Sequence, residues 1–137
     1  MTMSDNRMNI FDVAQRSMSA QMVRMNVAAS NLANAGSVSA SAEEAYRPLR
    51  TVFESELDRA TGLSGVRVGE VIRSEVQPTK RHDPNHPLAD ANGDVWEAPV
   101  DEASEMVELM ESARQYQNVI GALQTAKQLM LETLRSR

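Results

Sequence analysis

The chain has 137 residues, no cysteine, and 14 Lys and Arg against 19 Asp and Glu, for a formal net charge of −5. That length fits one small domain with appended elements. The missing cysteines exclude a disulfide scaffold, a Cys-ligated zinc site and a thiol nucleophile, and the acidic balance gives no case for nucleic-acid binding.

The first predicted element is a long helix. From Asn9 to Ala35 there is no Gly and no Pro, and Phe11, Ala14, Met18, Met25, Ala28 and Leu32 follow an alternating three–four spacing, with Gln21 the one polar member. That spacing lays one narrow apolar seam along an α-helix, which Met22 and Ala29 widen. Asn9 suits the N-cap, with Asp12 near the positive end of the dipole, and Gly36 suits a left-handed position after the end. The expected helix has about 26 residues and a length near 40 Å. Asn26, Asn31 and Asn34 gather in its last turns. Asn is a poor mid-helix residue, so these amides either mark C-terminal fraying or bond to the backbone of a neighbouring element.

The middle third is different in kind. Residues 36–98 hold four of the five Pro and five of the six Gly. Ser37 to Ser41 reads as a loop. Arg47 to Phe53 and Gly65 to Val76 alternate as strands do, while Glu54 to Ala60 is ambiguous between strand and helical turn. Pro78, Pro84 and Pro87 follow, and Asn92-Gly93 marks a tight turn before Val95-Trp96. Three or four short strands with a modest core are expected.

The last element is again a helix. Met106, Leu109, Ala113, Tyr116, Ile120, Leu123, Met130 and Leu134 repeat the seam spacing, interrupted by Lys127. Asp101, Glu102, Glu105, Glu108 and Glu111 crowd its start and Arg135 and Arg137 close it, the polarity that a helix macrodipole favours. Gly121 is its one weak residue, costing about 1 kcal/mol against Ala. About 33 residues and 50 Å are expected.

Neither helix is stable alone in water, because amphipathic helices take most of their stability from packing. Seam must therefore meet seam. The predicted fold is α+β: long N- and C-terminal helices in an antiparallel, coiled-coil-like pair, with a small β-rich insert between them. Residues 1–35 and 99–137 make up the helical domain, and 36–98 the loop and insert. The first 35 residues carry three Arg against two Asp, and residues 97–137 four basic against seven acidic groups, so the two helices attract modestly. Two Phe, two Tyr and one Trp are few for a compact core, and nine Met are many. Met fits surfaces that must adapt, though it also substitutes for Leu in helical cores.

Candidate chemistry is sparse. His82-Asp83-Pro84-Asn85-His86-Pro87 has two His four apart, but its prolines forbid the helix that would bring them to one face, so an extended solvated loop is expected. Asp90-Ala91-Asn92-Gly93-Asp94 has its glycine at the wrong position for a calcium loop and lacks the closing Glu. No nucleophile elbow or phosphate-binding loop occurs. No enzyme activity, metal or cofactor is expected. The longest apolar runs are three residues, Val27-Ala28-Ala29 and Leu129-Met130-Leu131, far short of the roughly 20 of a membrane span or the 7–15 of a secretory signal.

Ser30-Asn31-Leu32-Ala33-Asn34, after Ile10-Phe11-Asp12-Val13-Ala14, resembles the N-terminal signature of the bacterial flagellar rod and hook axial proteins. Tyr46-Arg47-Pro48 with Val52-Phe53 resembles their post-helix segment. Asp83-Pro84-Asn85-His86-Pro87-Leu88-Ala89-Asp90-Ala91-Asn92-Gly93 resembles a central motif of the rod members. Glu105-Met106-Val107, Ser112-Ala113-Arg114-Gln115-Tyr116-Gln117-Asn118-Val119, Thr125-Ala126-Lys127 and Met130-Leu131 resemble their C-terminal helix. The likeness covers nearly the whole chain in order; a polar start, Met1 to Arg7, precedes it.

The resemblance implies a structural subunit of the proximal rod that passes torque from the rotor to the distal rod and hook. It implies terminal helices in an inner coiled-coil layer, a periplasmic position in the basal body, and export without a cleavable signal through the flagellar type III export apparatus. Implied partners are further copies of the chain, the other rod proteins, the rod–rotor adaptor and the rotor ring. The expected assembly interface comprises Phe11, Met18, Met25, Asn31, Leu32 and Asn34 on the first helix, and Met106, Met110, Ala113, Tyr116, Gln117, Ile120, Leu123 and Met130 on the second. Two other classes compete with this reading. A cytoplasmic helical chaperone or adaptor would form a closed small oligomer. A metal enzyme around His82, Asp83 and His86 would bind metal and lose it on mutation of both His.

Overall fold

A computed structural model of the chain describes residues 9–136. The polar start at Met1 to Arg7 and the closing Arg137 lie outside the described residues. Helix α1 runs Ile10–Ala33, 24 residues or about 36 Å. Its start is a capping box: Asn9 Oδ1 accepts from the amides of Phe11 at 2.9 Å and Asp12 at 3.0 Å, and Asp12 Oδ2 accepts from the Asn9 amide at 2.9 Å. Asn34 caps the end, and Gly36, at φ 75°, takes the left-handed turn that a Cβ would oppose. Helix α2 runs Glu102–Arg135, 34 residues or about 51 Å. It is capped by Asp101 Oδ1, which accepts from Ala103 and Ser104, with Glu102 and Glu105 in the first turn and Arg135 in the last.

Between the helices lie five strands, β1 Val38–Ser39, β2 Leu49–Leu57, β3 Ser64–Arg73, β4 Thr79–His82 and β5 Asp94–Glu97. They form two antiparallel sheets, the hairpin β2–β3 and a three-stranded sheet in the order β1-β5-β4. This corrects the three or four strands expected. Ser37 to Ser41, read as a loop, contributes β1, whose two residues pair with Trp96 and Glu97. His82, read in a solvated loop, is the last residue of β4, opposite Asp94. The ambiguous stretch after Phe53 continues β2 as far as Leu57, whereas β3 ends at Arg73 and Val76 lies beyond it in the open. Pairing with a neighbouring strand settled each of these, and local pattern does not carry that information.

Asn92-Gly93 does not join two strands by itself. It closes a longer loop, residues 83–93, between β4 and β5. The Gly93 amide donates to Asp90 O at 3.0 Å, the Asp83 amide donates to Gly93 O at 2.8 Å, and Gly93 has φ 78°. Asp90 Oδ1 holds the loop from inside, accepting from the amides of Asn92 at 2.8 Å and Asp94 at 2.9 Å. The Asp-rich segment is thus a self-satisfied turn.

Helix α1 touches α2 and also both strands of the hairpin, so it lies between the second helix and the β2–β3 ribbon. The buried core is built of small side chains: Ala20, Val27 and Ala28 on α1, and Ala45, Val95 and Ala98 around the three-stranded sheet. Towards its tip the hairpin leaves α1, and a half-open cleft of about 770 Å³ separates them, lined by Arg16, Ala20, Val23, Glu56, Leu57 and Val68. Arg16 and Glu56 bridge it as an ion pair.

Candidate assembly interface

Asn31 is wholly buried, and both the oxygen and the nitrogen of its amide are hydrogen-bonded. Nδ2 donates to Leu49 O at 3.0 Å, Oδ1 accepts from the Leu49 amide at 2.8 Å, and Oδ1 also accepts from the Tyr46 hydroxyl at 2.8 Å. The side chain thus behaves as a length of strand, offering one donor and one acceptor to a single residue at the root of β2. A buried Pro48 fixes the backbone just before it. Asn34 plays no such part, for its Nδ2 donates to Ser30 O of its own helix at 2.9 Å. Of the asparagines in the last turns, Asn31 ties helix to insert and Asn34 finishes the helix.

Two ion pairs fasten α2 to the same region. Arg50 Nη1, one residue beyond Leu49, donates to Glu105 Oε1 at 2.6 Å, and Glu105 is 4 % exposed. Arg24 Nε donates to Glu108 Oε1 at 2.7 Å, while its guanidinium also lies 5.9 Å from the centroid of the Phe53 ring. Arg50→Ala leaves a buried carboxylate without its cation and is expected to lower stability by about 1–3 kcal/mol. Chemical denaturation of the single variants and of Arg50→Ala with Glu105→Gln checks this, because the loss shrinks once the charge is gone.

The buried face of α2 differs from the predicted one most clearly at its start, where it is shifted by one residue. Glu105 and Ser112 are buried, and Leu109, Tyr116, Val119, Leu123 and Ala126 are half-buried. These seven follow the same three–four spacing as the predicted seam. They share Leu109, Tyr116 and Leu123 with it; Glu105 is buried where Met106 is exposed, Ser112 is buried beside a half-buried Ala113, and Val119 and Ile120 are both half-buried. Apolarity alone selects the methionine over the adjacent glutamate. Arg50 makes burial of the glutamate tolerable, and Ser112 hides its hydroxyl by donating to Glu108 O.

The predicted interface residues divide accordingly. On α1, Met18, Met25 and Leu32 are half-buried, Asn31 is buried, Asn34 is half-buried and Phe11 is exposed. On α2, Ala113, Tyr116, Ile120 and Leu123 are half-buried and Gln117 is exposed, while Met106, Met110 and Met130 stand 54 %, 67 % and 53 % exposed. Val107, Leu129, Leu131 and Leu134 join these exposed side chains. From Lys127 to Ser136 every residue of α2 is exposed. Glu105, Ser112 and Tyr46 escaped the sequence reading. The signal for the first two was a second three–four series one residue out of phase.

The two histidines do not meet in a metal site. His82 Nδ1 lies 2.9 Å from Asp94 Oδ1, and His86 Nδ1 accepts from the Leu88 amide at 3.0 Å. Among the described residues no group of three or more His, Cys, Asp and Glu could hold a metal ion. Asp94 instead joins β4 to β5: His82 takes one carboxylate oxygen and Lys80 Nζ lies 3.1 Å from the other. The hydrogen bonds from His82 and then Lys80 hold its carboxyl below the ordinary carboxylate range. The stabilisation this gives is complete above about pH 4, weakens as pH falls through the ordinary carboxylate range, and is gone below the lowered pKa. His82→Ala is expected to move the Asp94 pKa back up, as read from its carboxyl ¹³C shift in an NMR titration.

No helix among the described residues is long and apolar enough to cross a membrane. Residues 11–36 match the family described as "Flagella basal body rod protein", and residues 92–136 match "Flagellar basal body rod FlgEFG protein C-terminal". These stretches take in all of α1 but its first residue and the whole of α2. The flagellar basal-body rod protein FlgC of Salmonella typhimurium is 44 % identical over 127 residues, covering 93 % of this chain and 95 % of that protein. The same protein of Escherichia coli O6:H1 is 42 % identical with equal coverage. That of Agrobacterium fabrum is 28 % identical over 123 residues, covering 89 % of this chain and 88 % of its own length. With two capped terminal helices, exposed apolar side chains along the second, and likeness to these relatives over nearly its full length, the chain belongs to the FlgC family of flagellar basal-body rod proteins.

Proposed function

We propose that this chain is a structural subunit of the flagellar basal-body rod, joined to its neighbours through its terminal helices and carrying torque toward the distal rod and hook. The observation that carries this reading is the surface of α2. Met106, Met110, Met130 and Leu134 are each more than half exposed on one helix, an arrangement that leaves much apolar area in water in a lone chain and is relieved by contact with other subunits. The interface expected on Phe11, Met18, Met25, Leu32, Ala113, Tyr116, Gln117, Ile120 and Leu123 continues this surface around the helix pair.

Within the subunit, α1 and α2 form an antiparallel, coiled-coil-like pair. The Arg50–Glu105 tie near Asn31 and the Arg24–Glu108 tie one turn further along α2 support this direction, as does the three–four spacing of the buried seam. Neighbours in the assembly are further copies, the other rod proteins, the rod–rotor adaptor and the rotor ring. The chain reaches the periplasmic rod through the flagellar type III export apparatus. No catalytic step belongs to this reading.

Electron microscopy and immunoblotting of basal bodies purified from a strain whose only copy carries a small epitope tag test the proposal. Tag density on the rod, with loss of motility on deletion of the gene, is the expected result. A tagged chain found only in the soluble cytoplasmic fraction, as a closed small oligomer, would instead identify a chaperone or adaptor.

A further inference from the structure

Oxidants find one class of soft target in this chain. It has nine Met and no Cys, so no thiol competes for a peroxide and the thioethers take the oxygen. The Met side chains among the described residues fall into two groups. Met18 and Met25 are half-buried on α1, whereas Met106, Met110 and Met130 on α2 are each more than half exposed and Met22 on α1 is nearly so. Apolar contact does not by itself require Met at these places. Leu129, Leu131 and Leu134 are exposed on the same helix, and Leu and Met exchange in apolar packing at little cost. What Met adds is a polarisable sulfur open to solutes. Met106 and Met110 lie one turn apart on one face of α2, and Arg114 follows one turn on. Its ion pair with Glu111 is long, at 3.7 Å, so that face carries a donor for an oxygen placed on Met110.

We propose that Met106, Met110 and Met130 are oxidation sites of the unassembled chain, and that their conversion to sulfoxide by a peroxide keeps the copy out of the rod. The proposal rests on the reading of the chain as a rod subunit and adds a chemical control on which copies enter it. In the step, the sulfur lone pair attacks one oxygen of hydrogen peroxide, the O–O bond breaks, and a proton shift releases water. Sulfur loses two electrons and the peroxide gains them. The product is polar, chiral and a strong acceptor. In the lone chain water and Arg114 satisfy that acceptor, and an exposed side chain leaves the fold as it was. On docking, the same oxygen is stripped of water inside an apolar contact, which weakens the contact about tenfold or more for each sulfoxide left unpaired. Copies already in the rod have these sulfurs covered, so the chemistry acts before assembly and not after it. A methionine sulfoxide reductase reverses it.

The first arm of the test uses the purified full-length chain, treated with dilute hydrogen peroxide and mapped over time by peptide mass spectrometry. Met22, Met106, Met110 and Met130 are expected to gain oxygen about tenfold faster than Met18 and Met25. Equal rates at all of them would overturn the proposal. The second arm uses epitope-tagged chains, each the sole copy in its strain and induced during exposure to sublethal peroxide. Two triple variants are compared with the unaltered chain, one with Leu and one with Gln at Met106, Met110 and Met130. Gln stands in for the sulfoxide, being polar and unbranched. All three positions are exposed, so both triples should keep the melting temperature of the parent. Under peroxide the parent is expected to fall about tenfold in purified basal bodies while the Leu triple holds its level, and the Gln triple should be about tenfold down without any oxidant. An equal fall of parent and Leu triple, or a Gln triple incorporated at the parent's level, would overturn the proposal. The untreated parent's tag reports whether the chain reaches the basal body at all, so failure of the rod assignment is read apart from failure of the oxidation sites.

Discussion

Asn31→Ala is expected to destabilise the chain by about 2–4 kcal/mol, more than any other single truncation of a polar side chain on α1. The side chain supplies both hydrogen bonds to Leu49 and receives the Tyr46 hydroxyl. Its removal leaves the Leu49 amide without an acceptor beside a small void where water has little access, while Leu49 O keeps its bond from Arg50 Nη1 and the Tyr46 hydroxyl keeps only Ser30 Oγ at 3.4 Å. Asn31→Asp is no remedy. It keeps the acceptor but puts a carboxylate oxygen against Leu49 O, where the amide nitrogen now donates, and it buries a charge. Thermal unfolding followed by far-UV circular dichroism measures the loss, with Asn34→Ala as the comparison. Asn34 bonds only to its own helix, so its variant should cost about 1 kcal/mol or less. Equal losses for the two would remove Asn31 from its anchoring role.

Met130→Asp with Leu134→Asp should do the opposite, leaving the fold alone and stopping assembly. Both side chains are more than half exposed, so the change in unfolding free energy should stay within about 0.5 kcal/mol. Two carboxylates in the middle of an apolar contact, by contrast, each lose their hydration on docking, a penalty of several kcal/mol per ion. The double variant should be folded and exported, absent from purified rods, and non-motile on soft agar. Normal swimming with the variant present in the rod would show that this stretch of α2 faces water in the assembled structure. The conservative pair Met130→Leu with Leu134→Met should swim normally.

Much of the helical architecture was legible because its determinants are local. Asn9 and Asp12 announce the first cap, the acidic run from Asp101 marks the second start, and three–four apolar spacing, broken only by Gln21 in α1 and Lys127 in α2, carries each helix between its ends. The seam of α2 was read one residue off at Met106 because polarity was taken as a sign of exposure. Glu105 is buried only because Arg50, 55 residues away, reaches it. Strands β1 and β4 were missed for a related reason. Val38–Ser39 and Thr79–His82 have little strand character of their own and are extended because β5 lies between them and pairs with both. The exposed C-terminal stretch of α2 was visible as apolar spacing, but its exposure depends on how far α1 runs alongside it, and α1 begins at the Asn9 cap.

The double bond between Asn31 and Leu49 also has a mechanical consequence. A single hydrogen bond lets its partners swivel about the donor–acceptor line. Two, gripping the N–H and the C=O of one residue, fix an orientation as well as a distance. The root of the hairpin is therefore splined to the last turn of α1, and a rotation imposed on the helix is handed to the β2–β3 ribbon with little backlash. For a shaft that turns as one body, the buried amide is the key that keeps the sleeve from slipping on its spindle.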